Sequence, residues 1–510
     1  MSPTRRRQRQ APHPPARPAA HGYACWYRPV CVLLALLLLL GSLPLPAQDN
    51  VRLPDMGGTG KVLPPEQERA FPRDFRLFMR QEGLLVEDPI ISAYFEDMGY
   101  RLVMHSDDRD RNFHFHVLRI PGINAFAAPA GVVALNAGLI LAADTPDEVA
   151  GVVAHEIAHV TQNHLQRGME AQQSMSFPMM LATMGLVLAG SLAGGMDAET
   201  AQGVLATGVG MAQQSQINFT RQNESEADRI GIQLMARAGY NPRGMAAFFN
   251  TLNRASRSMG AGPPEYLRTH PMTVSRVAEA RDRAERLIVR RPIEDDRFHL
   301  VQARLRVLMA RQPDEAIEYF RGRLKDAEGN EAGNRYGLAL ALMDASRHSD
   351  AEEQLAWLLG QTPDHQIYRL LEADLLMARQ RVEPSLDAYG RLYAAYGHSE
   401  IVAVPYARAL LRAGSSEAAE RAAEILVTEL RRRPEDLNVS ELLAYAADRS
   451  GDPVRAAEVV AENYYQRGGL PQAIEQLERI LERETLDYYQ RARITARLDQ
   501  LRGEQARRLR

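Results

Sequence analysis

His155-Glu156-Ile157-Ala158-His159 places two imidazoles one helical turn apart, with a carboxylate beside the first. On a helix that spacing turns both rings to one face, where they can hold zinc, and leaves Glu156 beside the ion to accept a proton from water. A third ligand is needed. A histidine six residues after His159 is excluded, because Leu165 stands there. The alternative is a carboxylate on a separate helix, and the best candidate segment is Arg221-Gln222-Asn223-Glu224-Ser225-Glu226-Ala227-Asp228, in which Glu224 and Asp228 lie one turn apart. Two histidines and one carboxylate leave a fourth tetrahedral position for water, as in catalytic rather than structural zinc sites.

Two helices must carry these groups. Thr145-Pro146-Asp147-Glu148 reads as a start, with Thr as N-cap, Pro in the first turn and Glu completing a capping box. Val149, Val152, Val153, Ile157 and Val160 form the apolar face of a helix predicted to run to Gly168. The second helix continues through Ile230, Ile232, Leu234 and Met235 to a cap at Gly239, before Asn241-Pro242. Helical geometry turns Glu226 away from Glu224, and His164 reads as a packed or capping residue near its helix end.

The pairing of His-Glu-Ile-Ala-His with Glu-Ser-Glu-Ala-Asp resembles the M48 family of zinc metallopeptidases. Ile123 to Ile140 looks like that family's segment before the catalytic helix, and Leu267-Arg268-Thr269-His270-Pro271 like its Ser/Thr-His-Pro motif. Ala130 departs from the pattern, since the family more often has Gly there. The resemblance implies one Zn2+ per chain, with His155, His159 and Glu224 as ligands, Glu156 as general base and Asp228 as an active-site acid. Asp228 also has a physical role open to it, because one turn beyond Glu224 it can accept from the outer ring nitrogen of a ligating histidine. His270 has three readings: a cap, an oxyanion partner, or a ligand that reaches the fourth zinc position and displaces water.

Six arginines and no acid precede residue 48, ahead of the apolar run Val30 to Leu40 and the small residue Ala47. Residues 1–47 therefore read as a secretory signal peptide. Both cysteines, Cys25 and Cys31, fall inside it. The formal charge of −3 becomes −9 for the remainder, which argues against nucleic acid as a partner. A second apolar stretch, within 177–210, is read as a helical hairpin near the active site or touching a membrane surface, with a bilayer span as the minority reading.

Beyond residue 295 the pattern changes to helix pairs. Ala339, Ala351 and Leu355 recur as Ala373, Ser385 and Tyr389 at a spacing of 34, and Ala407, Ala422 and Leu426 follow after a three-residue insertion. That period resembles tetratricopeptide repeats, which stack into a solenoid with a concave binding face. The expected fold is mainly α: residues 48–295 form an α-rich, zincin-like peptidase domain with a small β element, and 296–510 a tetratricopeptide-repeat solenoid. Signal, peptidase and repeats together resemble bacterial proteases of outer-membrane β-barrel assembly. The resemblance implies the periplasm, misfolded or unassembled outer-membrane proteins as substrates, and contact with the β-barrel assembly machinery. The competing readings are a periplasmic chaperone or adaptor acting through its repeats, and an integral membrane M48 protease.

Overall fold

The computed structural model describes residues 65–167, 221–258, 264–397, 399–483 and 486–508, all of them in one compact unit, Gly60–Arg510. The signal peptide and the hairpin expected in 177–210 lie outside the described residues. Among the described residues, no helix is long and apolar enough to cross a membrane.

The region before residue 295 is built on a three-stranded sheet of β1 (His114–Leu118), β2 (Ala125–Ala128) and β3 (Val132–Asn136), with β3 in the middle. Strand β3 pairs parallel with β1 and antiparallel with β2. Its side chains alternate between two cores, as a two-residue period requires. Val132 and Ala134 pack with Phe71, Phe75 and Met79 of helix α1 (Pro65–Gln81). Val133 and Leu135 pack into the main core with α2 (Pro89–Val103), α3 (Ala137–Ala142) and α4 (Pro146–Thr161).

The turn entering β3 is tight. Ala130 adopts φ 57°, a left-handed conformation that Gly takes without steric cost, so its departure from the family pattern is one of backbone strain. A Cβ on the adjoining Gly131 would lie 2.0 Å from the Asn112 carbonyl oxygen.

Helix α5 (Arg221–Ala238) packs along α4, flanked by α6 (Arg243–Ser258), α7 (Glu265–Thr269) and α8 (Val274–Glu285). Two glycines permit these close crossings. A Cβ on Gly151 would come 2.9 Å from the Met245 Cα, and one on Gly231 would come 3.2 Å from the His155 backbone nitrogen.

Antiparallel helices follow: α9 (Phe298–Met309), α10 (Pro313–Lys325), α11 (Glu331–Asp344), α12 (His348–Gln361), α13 (Gln366–Ala378), α14 (Val382–Tyr396), α15 (Glu400–Ala413), α16 (Ser416–Arg432), α17 (Leu437–Arg449), α18 (Pro453–Gln466), α19 (Leu470–Leu481) and α20 (Tyr488–Arg508). The recurring small residues Ala339, Ala351, Ala373, Ser385, Ala407 and Ala422 are all buried between paired helices. Ser385 shows why small size matters: its hydroxyl donates to the Ala373 carbonyl at 2.7 Å, bridging α14 to α13.

The expected boundary at 295 falls within one continuous hydrophobic core, which runs from Val86 through Phe298, Leu342 and Leu371 to Ala409. Polar contacts reinforce the seam. Gln302 on α9 donates to the Ile140 and Ala143 carbonyls, Arg304 pairs with Asp88 at 2.7 Å, and Arg433 pairs with Glu96 at 3.0 Å. Between the repeats and the sheet lies a cleft of about 1240 Å3, lined by residues including Arg76, His114, Asp374, Tyr389, Arg433 and Tyr445.

Candidate metal centre

Helix α4 begins as expected, with the Thr145 hydroxyl accepting from the Glu148 amide at 3.3 Å. The second half of the capping box is shifted by one residue, because the Glu148 carboxylate accepts from the Asp144 amide and from Thr251. The far end differs from expectation. The helix stops at Thr161 rather than running to Gly168, since Asn163 turns left-handed at φ 53°. Helix α5 ends where expected, and Gly239 supplies the left-handed φ of 94°.

His155, His159 and Glu224 meet at the α4–α5 crossing, and His270 joins them from the end of α7. One donor atom from each of the four lies within 4.8 Å of every other. The His155 and His159 Nε2 atoms are 2.9 Å apart, and each is 3.5 Å from a Glu224 oxygen. His270 Nδ1 lies 3.1 Å from Glu224 Oε1 and 3.3 Å from His155 Nε2. Its ring stacks on Tyr266, centroids 4.7 Å apart, and its backbone amide donates to the Tyr266 carbonyl. Thr-His-Pro thus delivers His270 to the centre itself.

Glu156 is fully buried, and its carboxylate faces the Ala127 backbone without a close, well-aligned hydrogen bond. His270 Nε2 stands 3.5 Å from Oε1. Burial pushes the Glu156 carboxyl above its ordinary range, against weaker opposing pulls from His270 and His155.

Asp228 lies behind His155, with Oδ1 3.0 Å from Nδ1. It is buried and makes no surface ion pair with Arg229. Arg276 of α8 clamps it through two bonds of 2.7 and 2.9 Å, and also reaches Glu224 at 2.8 Å. Burial disfavours charge on both carboxylates, yet both are held below their usual range. For Asp228 the hydrogen bonds from His155 and Arg276 outweigh it, and for Glu224 the pull of His270 followed by His155 does so. Burial likewise lowers His155, but Asp228 and Glu224 prevail and raise its imidazole to about 10.

These positions fit a cation. Raised that far, the metal-free His155 ring carries a proton on each nitrogen, with Asp228 accepting at Nδ1 and Nε2 facing His159 Nε2 and the Glu224 carboxylate. The acids around the cluster thus already hold positive charge at that point, and a metal ion bound there would replace the Nε2 proton. Nitrogen donors with one carboxylate suit zinc.

Sequence reasoning missed Arg276. Two acids on a buried helix face do call for a cation, but no spacing rule selects one arginine among 61 basic residues. His164 is packed, as expected, completely buried against His159, and Glu226, turned away from Glu224, lies beside it; the contact between the two was not foreseen. The available signal was Asn163, a residue type prone to left-handed turns.

Two family profiles match the chain. The profile of peptidase family M48 matches residues 91–284, and a tetratricopeptide-repeat profile matches 336–400. The β-barrel assembly-enhancing protease of Escherichia coli is 33% identical over 490 residues, 94% of this chain and 97% of that protein. The one from Yersinia pestis is 33% identical over 93% of this chain and 97% of its own length. The mitochondrial metalloendopeptidase OMA1 of Schizosaccharomyces pombe shares 28% over 195 residues, 38% of this chain and 53% of that protein. With a third of its residues shared along nearly the full length of such relatives, the chain belongs to the M48 family of metalloendopeptidases, in the group of the β-barrel assembly-enhancing proteases.

Proposed function

We propose that the chain hydrolyses peptide bonds of unassembled outer-membrane proteins in the periplasm, with one zinc held by His155, His159 and Glu224. The observation that carries the reading is the convergence of these three donors beside the buried carboxylate of Glu156. Zinc held by these residues would supply Lewis acidity for a peptide carbonyl and for its attacking water. Glu156, its carboxyl raised above the ordinary range by burial, takes the proton of the attacking water and returns it to the leaving amine. Asp228, backed by Arg276, holds His155 in the orientation and tautomer that present Nε2. Strand β2 forms one edge of the sheet, packed against α4, so an extended substrate segment can add to it as a further strand.

His270 is the restraint. Its ring sits between Glu156 and Glu224, where a fourth ligand would displace water, and its stacking on Tyr266 steadies it there. Residues 48–295 supply the chemistry, and the repeats of 296–510 receive substrate or the β-barrel assembly machinery. The names of the relatives support that partner. The segment 177–210 is assigned to contact with the membrane surface on its apolar composition.

The test is metal analysis and proteolysis of the full mature chain. One zinc per chain, lost in His155→Ala and Glu224→Ala but retained in an inactive Glu156→Gln, is the expected pattern. Proteolysis by metal-free protein would refute it.

A further inference from the structure

His164 takes part in none of the steps above, yet it is completely buried. The left-handed turn at Asn163 sends it back beneath the helix it has just left. Arg111, from the loop before β1, fixes that turn by donating to the Val160 carbonyl at 2.6 Å and to Asn163 Oδ1 at 3.0 Å. His164 Nδ1 consequently lies 2.8 Å from His159 Nδ1, on the side of that ring opposite Nε2. Its own Nε2 lies 3.1 Å from Glu226 Oε2, and Glu226 also meets Arg167 at 3.4 Å.

The proton positions follow from hydrogen-bonding capacity. An ionised carboxylate only accepts, so His164 must carry its proton on Nε2. Neutral His164 then offers a lone pair at Nδ1, which obliges His159 to place its own proton on Nδ1. The His159 Nε2 lone pair is thereby left facing His155 Nε2 and Glu224. With the opposite arrangement a hydrogen would occupy the His159 Nε2 and block metal binding.

We propose that Glu226 and His164 form a positioning relay that fixes His159 in its metal-binding tautomer. The inference rests on the metal centre proposed above. The two ligating histidines are thus served unequally: His155 is held directly by a carboxylate, and His159 through an intervening imidazole whose place depends on one turn.

The test uses the full mature chain and zinc itself, with affinity measured by competition against a chromophoric chelator. Stoichiometric binding by the parent protein tests the centre, and only the variants test the relay. Glu226→Ala and His164→Ala should each weaken zinc binding by about 10- to 100-fold. The double variant should be no weaker than His164→Ala, because the carboxylate acts through the imidazole. His164→Gln, whose side-chain oxygen can accept from His159 Nδ1, should recover part of the loss. Nitrogen-15 spectra of histidine-labelled, metal-free protein should show His159 protonated at Nδ1 in the parent and as mixed tautomers in Glu226→Ala. Glu226 is partly exposed, so this variant is expected to fold even if His164→Ala does not. Affinity of Glu226→Ala within twofold of the parent, strictly additive losses, or an unchanged tautomer would each overturn the relay.

Discussion

Glu156 is a fully buried carboxylate whose polar neighbours are the Ala127 backbone and His270, and burial of that kind raises its affinity for a proton, as the proposed base requires. Glu156→Gln should retain zinc and lose hydrolysis by at least about 10²-fold, and retained proteolysis in that variant would end its assignment as base. Arg276 makes a sharper case, since it neutralises two buried carboxylates at once. Arg276→Ala leaves both uncompensated and should destabilise the fold by about 3–5 kcal/mol, read by denaturant unfolding. Arg276→Lys should recover little of that, because a point charge cannot reproduce the forked contact with Asp228. For His270→Ala the expected outcome is a rise in basal proteolysis at unchanged zinc content. A fall by orders of magnitude would mean that His270 stabilises transition-state charge instead.

At the scale of elements, the centre depends on how closely α5 approaches α4. Gly231 sits at that crossing, and a larger residue must force the helices apart and carry Glu224 away from the histidines. Gly231→Val should therefore lower zinc affinity although Gly231 supplies no donor atom; unchanged affinity would show that the helices can yield locally. The pentapeptide and the α5 carboxylates were legible in the sequence because each set lies within one helix, where period 3.6 fixes direction. Arg276, Arg111 and Tyr266 were not, because each reaches the site from another element and only tertiary packing brings it there. The 34-residue spacing was legible for the opposite reason. Its small residues mark local helix pairs, and Ser385 and Ala373 meet across a single turn.

Across the whole molecule, the seam between peptidase and repeats carries buried charge. Glu400 is pushed up to about 7 by burial, which outweighs the attraction of Arg433, while Glu96, Asp436 and Glu429 add repulsion. The folded protein thus binds this proton more tightly than the unfolded chain does. Stability from this group is fully present below the usual carboxylate range and is lost as pH rises through about 7. Melting temperatures of metal-free protein should show Glu400→Gln flattening that decline, and an identical slope in both proteins would exclude Glu400 as its source. The continuous core makes a second prediction. A chain ending at 295 strips the apolar cover from α2 and α3 and should lose cooperative unfolding and zinc together. One ending at 450 removes the separate cluster formed by Val454, Leu477 and Leu498, and should keep both at a lower melting temperature.

That shared core also sets an order of events in the life of the molecule. A polypeptide emerges amino end first, so the residues of the metal centre are present long before α9 to α15 arrive to close the hydrophobic face behind them. Until about residue 409 has been delivered, α2 and α3 lack the apolar cover that completes the core shared with α4 and α5. Competence of the centre is thereby expected to arrive late, when the last neighbours of that core dock, a delay timed by chain length.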